Sequence, residues 1–335
     1  MTDLTKEYDR GTDLETLNAA SLSMTSVQPP PSFVAVVSKS GVDTQHIHAL
    51  NLPLAQVQAK MTGAVSALGG EPLVLSTIAI QAALYHLKAQ GQQVRARIAL
   101  GACRTLNVET TDAVTLAAAI ELLHNASLVH DDLQDRDLER RGQQTVWSKY
   151  GDNTAICVGD LLLSCSYGVL AQYRDASVLG ALVALMHTRT AQAVHGQNAD
   201  LVFQNKTSPD LNIYKQIVIA KSGALLSLPL ELALIAGGHS ASCKTALKAA
   251  QAFSMGYQII DDLDDYQSDQ LHATAKVLNV LQVLNGANNI LTAQAQARQL
   301  AREHLFESIG LADTLPMGSG SLLIQIAKKL LARLE

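Results

Sequence analysis

The 335-residue sequence is poor in aromatic side chains, at 4%, with one tryptophan and four phenylalanines, and only 16% of it is charged. It has no basic excess, since 25 lysines and arginines face 30 acids for a net charge of −5, so the balance that marks a nucleic-acid binder is missing. Its four cysteines, Cys103, Cys157, Cys165 and Cys243, form no CxxC pair and no disulfide framework, which fits reduced thiols in the cytoplasm. The first twenty residues carry acids where a signal peptide needs a basic start and an apolar run, so secretion is not expected. Lys221, Pro229 and Glu231 interrupt the apolar stretch from Ala220 to Gly237, so no segment is expected to supply the roughly 20 clean residues of a membrane span.

Proline is also absent from long tracts, between Leu73 and Ser208 and again between Leu230 and Leu315. Alanine, leucine and glutamine dominate both tracts, and these residues lose little rotamer freedom in a helix. Between Thr111 and His130 the apolar residues Ala113, Leu116, Ala117, Ile120 and Leu123 recur at three and four, which is one helical stripe. Period-two alternation is scarce, so strands are not expected. Residues 1–33 are polar, end in Pro29-Pro30-Pro31 and read as a poorly ordered arm; residues 34–335 read as one large all-α domain. Breaks are expected near Gly69-Gly70, Gly91, Asn107, Gly151, 205–210, Gly237-Gly238 and Asn285-Gly286.

The 48% apolar content supports a large core, and the chemistry concentrates in two acidic clusters. The first is His124-Asn-Ala-Ser-Leu-Val-His-Asp131-Asp132-Leu-Gln-Asp135, the second Gly256-Tyr-Gln-Ile-Ile-Asp261-Asp262-Leu-Asp264-Asp265. Asp131 and Asp135 share a helix face, with Asp132 about 100° round; Asp261, Asp262 and Asp265 repeat the arrangement. Like charges at this spacing cost about 0.2–0.5 kcal/mol per pair. A hard divalent cation reverses that sign, because Mg²⁺ takes one or two carboxylates and completes its shell with water and substrate phosphates. Arg140-Arg141 follow the first cluster, and guanidinium forks suit diphosphate oxygens. A lone acidic pair would more often be a solvated helix end; two matching DDxxD clusters after apolar runs favour a metal site. Removing the ten acids of the two windows turns the charge balance into 25 − 20 = +5.

In order along the chain, Arg97, ELLHNASLVHDDLQD, DLERRGQQTVWSKYG, Gly159-Asp160, Gly196-Gln197-Asn-Ala-Asp200-Leu201, Lys221-Ser222-Gly223 and GYQIIDDLDD resemble the trans-prenyl diphosphate synthases, the head-to-tail polyprenyl synthetases. The resemblance implies a helical bundle around a deep central pocket (the isoprenoid synthase fold), a homodimer, Mg²⁺ as cofactor, and an allylic diphosphate and isopentenyl diphosphate as substrates. By it Asp131, Asp132, Asp135, Asp261, Asp262 and Asp265 are metal residues. Arg140 touches the allylic diphosphate, while Arg97, His124 and Arg141 hold isopentenyl diphosphate. Lys221, Ser222 and Gln258 sit near the ionising bond, and Lys276 is the surviving lysine of a closing loop.

Two departures stand out. In Gln93-Val94-Arg95-Ala96-Arg97 the place of the family's lysine holds Val94, which removes a cation from the isopentenyl diphosphate site unless Arg95 supplies it. The loop after Asp265 is about ten residues shorter than the family pattern. Ser127 and Ala126, four and five residues before Asp131, are small, so a product of twenty carbons or longer is expected. Two rival functions remain at this point: a non-catalytic partner subunit that keeps the aspartates, motivated by Val94 and the short loop, and a terpene cyclase or head-to-head condensing enzyme. DDLDD in place of a mixed Asn/Ser/Glu motif, and the scarcity of aromatics, argue against a cyclase.

Overall fold

Small side chains decide the centre of the molecule. The helix Thr110–Asp135 buries Ala113, Ala117, Ala118 and Ala119 as well as Leu116, Ile120 and Leu122, so it is apolar on every side and lies inside the bundle. Glu109 caps its start by accepting from the backbone N–H of Thr111, and it stops at Arg136, which takes the left-handed conformation at φ 61. The computed structural model describes residues 44–68, 77–89, 91–203, 210–271, 278–285 and 289–335. The expected arm, the Gly69-Gly70 break and Lys276 lie outside them.

The described chain is helical nearly throughout, as expected. In order it forms α1 (Thr44–Ser66), α2 (Thr77–Lys88), α3 (Val94–Thr105), α4 (Thr110–Asp135), α5 (Val146–Tyr150), α6 (Asp152–Leu170), α7 (Ala176–Phe203) and α8 (Leu211–Val218). A π-helical turn, Ile219–Gly223, leads into α9 (Ala224–Ala236), followed by α10 (Cys243–Leu271), α11 (Val280–Asn285), α12 (Ile290–Asp313) and α13 (Ser321–Ala332). The most extensive packing joins α4 to α6 and α10 to α12, and α4 also touches α1, α3 and α9. The buried apolar side chains form one continuous core.

Breaks fall at Gly91, at Asn107 with φ 58, at Gly151 with φ 86 and at Gly237-Gly238, where the turn chemistry placed them. An antiparallel hairpin that alternation did not announce, β1 (Glu139–Arg140) paired with β2 (Gln143–Gln144), interrupts the helices after α4. Its strands are two residues long, too short to leave a period-two pattern.

Three helical stretches, Thr110–Asp135, Asp152–Leu170 and Leu211–Ala236, are long and apolar enough to cross a membrane by length and composition, which corrects the expectation that none is. The few charges near Pro229 do not lower the hydropathy of the third enough. In the first and third, 78% of the apolar window is buried inside the protein, so those side chains serve the core; in the second the share is 44%.

Candidate active site

The first acidic cluster occupies the last turn of α4, where the helix dipole adds to the repulsion among Asp131, Asp132 and Asp135. The hairpin supplies the compensation by folding back along α4. Arg140 Nε donates to Asp132 Oδ1 at 2.5 Å, and Asp132 is 1% exposed with its Oδ2 buried and unpartnered. Arg141, at φ 54, donates to the Ala89 carbonyl at 2.8 Å, and its guanidinium lies so close over Gly91 that a Cβ there would stand 2.4 Å from Nη2. The Tyr85 hydroxyl donates to the Gln144 carbonyl and ties the hairpin to α2, and Lys149 Nζ of α5 sits 3.7 Å over the same ring.

The second cluster lies on α10. Asp262 is 5% exposed, and its carboxylate accepts from Gln258 Nε2 (2.9 Å), Tyr214 Oη (2.8 Å) and the Val280 N–H (2.7 Å), while its carbonyl accepts from Asn279 Nδ2 (2.9 Å). Asp264 pairs with Arg333 of the segment following α13. Asp261 carries the least compensated charge: burial, then Asp265, Asp262 and Asp264, push its pKa up to about 7. Burial likewise pushes Asp131 up to about 6, with Asp135 and Asp132 adding to it and Lys221 and Arg140 opposing.

Lys221 stands beside the first cluster. It sits in the π turn, a distortion frequent at functional sites, and donates to Asp200 Oδ2 on α7 at 2.6 Å. Burial opposes its charge, but Asp200, then Asp131, more than offset this and hold its pKa above the usual lysine value. Gly196 is required here, because a Cβ would stand 2.3 Å from the Lys221 backbone nitrogen. Burial, then the carboxylates of Asp262, Asp261 and Asp200, hold the Tyr214 phenol well above its usual range.

Two cavities lie on opposite sides of α4. One, of about 300 Å³, is walled by α3, α4, α10 and the hairpin, with Arg95, Glu121, His124, Arg140, Arg141 and Tyr257 on its surface. The other, of about 340 Å³, runs down between α4, α6 and α7, with Asp131, Gln134, Gln197 and Lys221 at one end and Leu123, Leu163 and Thr190 at the other. Ala126 and Ser127 line the second cavity.

The structure brings His124 and Arg141 into the first cavity and Asp131 and Lys221 into the second. It separates other expected residues. Arg97 lines neither cavity; its Nε donates to the Gln92 carbonyl at 3.0 Å, because it lies two helix positions, about 200°, round from Arg95. Arg140 lines the first cavity with Arg141, whereas Asp131 lines the second, since Arg140's partner Asp132 stands about 100° round α4 from Asp131. Asp262 is consumed by protein donors and Gln258 by Asp262. Ser222 lines neither cavity. Sequence reasoning missed Glu121, Tyr257 and Tyr214, although Glu121 and Tyr257 stand inside the motifs quoted above.

Among the described residues no three His, Cys, Asp or Glu side chains converge as a metal cage. The donor set nonetheless fits Mg²⁺, which needs no all-protein cage: the acids present oxygen only, Asp131 and Asp135 share a face, and Asp131 and Asp261 are half-buried carboxylates crowded by like charge.

The described residues form a helical bundle with an acidic cluster on each of two helices and an arginine-lined cavity beside them. Residues 77–305 match the Polyprenyl synthetase family, and the chain belongs to it. It is 33% identical over 174 residues to the (2E,6E)-farnesyl diphosphate synthase of Mycobacterium bovis, covering 52% of this chain and 48% of that protein. It is 34% identical over 194 residues to the geranylgeranyl diphosphate synthase of Cyanophora paradoxa, covering 56% and 65%. The chain thus spans about half the length of the first of these relatives. The fold matches the crystal structure of the geranylgeranyl pyrophosphate synthetase of Pyrococcus horikoshii with a TM-score of 0.76 at 21% identity, over 86% of this chain and 98% of that one.

Proposed function

We propose that the protein is an Mg²⁺-dependent trans-prenyltransferase that condenses an allylic diphosphate with isopentenyl diphosphate and releases a polyprenyl diphosphate of twenty carbons or longer. The observation that carries this reading is the placement of Asp131 and Lys221 at one end of a deep apolar cavity, with a second, arginine-lined cavity across α4. The names of the relatives support it, since they make farnesyl and geranylgeranyl diphosphates.

In this reading Asp131 and Asp135, with Asp261 and Asp265, hold the metal. When bound, Mg²⁺ neutralises the diphosphate that leaves as the allylic carbon–oxygen bond breaks. Lys221, fixed by Asp200, adds a cation at the same end. Leu123, Leu163, Ala126 and Ala193 give the growing chain a dry, unreactive wall, which the carbocation needs. His124, Arg141 and Arg140 receive the second diphosphate, with His124 kept neutral by burial and by the nearby Arg95 and Arg141. The double bond of isopentenyl diphosphate is the nucleophile and the released diphosphate accepts the proton lost after condensation, so neither a protein nucleophile nor a protein base is required.

Homodimeric assembly and a cytoplasmic location belong to the same proposal; the 44% burial of the α6 apolar window suits a face covered by a second copy. Incubating the purified protein with an allylic diphosphate, isopentenyl diphosphate and Mg²⁺ should release diphosphate, and Asp131→Asn should abolish the release. If the wild-type chain releases none, it is not an elongating enzyme by itself.

A further inference from the structure

The hydrophobic pattern of α9 does not fix how the helix is turned. Every residue from Ala224 to Leu234 is buried, so sliding or rotating the helix would bury nearly the same apolar surface. Its backbone is also weakened at two places. Pro229 lacks the N–H that would bond the Leu225 carbonyl, and the π turn Ile219–Gly223 with Lys221 leads directly into the helix.

One charged side chain of α9 breaks this degeneracy. Glu231, 1% exposed, accepts a two-pronged bond from Arg189 of α7, Nε to Oε2 at 2.7 Å and Nη2 to Oε1 at 2.6 Å. Arg189 Nη1 donates to Gln192 Oε1 at 2.8 Å, which holds the guanidinium plane. A buried ion pair forfeits hydration that apolar residues of similar volume would not, so it is a poor source of stability. What it supplies is geometry, because the fork is met at one rotation and one height of the helix.

The same two segments are joined a second time, by Lys221 and Asp200. Arg189 lies eleven residues before Asp200 on α7, and Glu231 ten residues after Lys221, so the segments run antiparallel with an ion pair at each end of a stretch about 15 Å long. The two pairs differ in exposure to substrate. Lys221 lines the second cavity, and in the function proposed above it gives up part of its bond to an arriving diphosphate. Arg189 and Glu231 line neither cavity and stay paired throughout.

We propose that Arg189 and Glu231 are positioning residues that fix the register of α9 against α7 and, through it, the placement of Lys221. The part that Lys221 plays in turnover rests on the proposed function; the register does not.

The test replaces the pair with apolar residues of similar size, Arg189→Met with Glu231→Leu, in the full chain. The double variant should melt within a few degrees of wild type, as apolar replacements of buried pairs commonly do. Amide hydrogen exchange in residues 219–226 should nevertheless quicken by about tenfold or more, with α4 unchanged, because only the local register is released. In turnover kcat should fall by about 10- to 100-fold, the scale of a misplacement near 1 Å, with KM for isopentenyl diphosphate within a few-fold of wild type. Arg189→Lys, which keeps the charge but not the fork, should show a smaller local quickening, and it serves if the double variant does not fold. Wild-type exchange at 219–226 in the variant that folds, or equal quickening in every helix, would overturn the proposal. A wild-type chain that makes no product, alongside a double variant with the local quickening, would uphold the register and refute only the enzymatic reading.

Discussion

Tyr214 donates its hydroxyl to Asp262 Oδ2 at 2.8 Å, on the inner side of α10 and away from both cavities. With the Val280 N–H and Gln258 on the same carboxylate, Asp262 is a hub that ties α8 and the start of α11 to the second acidic cluster. Two neighbouring aspartates of one motif thus do different work.

Stability should separate them. Asp262→Ala leaves three donors unsatisfied in the interior and should cost roughly 3 kcal/mol or more in urea unfolding, whereas Tyr214→Phe should cost about 1–2 kcal/mol. Asp261→Ala should unfold no more easily than wild type without metal, because it removes a half-buried carboxylate crowded by like charge, yet it should lose Mg²⁺-dependent activity. Equal destabilisation by Asp261→Ala and Asp262→Ala would contradict the division.

The arginine hairpin should depend on its clamp. Lys149→Ala removes the cation over Tyr85, an interaction worth about 0.5–2 kcal/mol, and loosens the ring whose hydroxyl holds Gln144 of the hairpin that carries Arg140 and Arg141. KM for isopentenyl diphosphate should rise several-fold with kcat and the allylic KM nearly unchanged. A fall in kcat alone would place the effect elsewhere.

How much of this was legible in the sequence follows the range of each interaction. Asp131 and Asp135 share a face of α4 as their spacing implies, because the helix period fixes them. That Tyr214 would donate to Asp262 was not legible, because the two lie 48 residues apart and no local pattern carries a contact of that range. The turn of the Arg97 side chain to the Gln92 carbonyl follows a left-handed Gln93 that nothing local announces. The pairing of Arg140 with Asp132 depends on the hairpin that folds back along α4, which is too short to leave a pattern. The all-α architecture was the most secure reading, since alanine-rich, proline-free tracts speak for themselves.

His86 supplies a pH signature away from the acidic clusters. It is 5% exposed, hydrogen-bonded to Asn125 Oδ1 at 3.1 Å, and its pKa is lowered to about 4 by burial and then by Arg141 and Arg140. The folded protein therefore excludes a proton that the unfolded chain takes up near pH 6.5. This group's contribution is fully present above pH 6.5 and is lost as pH falls toward 4, on the order of 3 kcal/mol in all. The stability difference between wild type and His86→Gln, followed by denaturant unfolding from pH 7.5 to pH 4.5, should shift toward the variant as pH falls. A pH-independent difference would mean that His86 does not titrate on unfolding.

Ala126 lines the cavity that the growing chain would enter. Ala126→Phe should shorten the product by at least one five-carbon unit while leaving diphosphate release measurable. An unchanged product distribution would move the floor to Leu123, Leu163 and Thr190.

The most direct measurement of the central claim is the mass of what the purified chain makes from farnesyl diphosphate, isopentenyl diphosphate and Mg²⁺. The account predicts a prenyl diphosphate of twenty carbons or longer, with one diphosphate released for each five-carbon unit added. A hydrocarbon product, or no product at all, would contradict it.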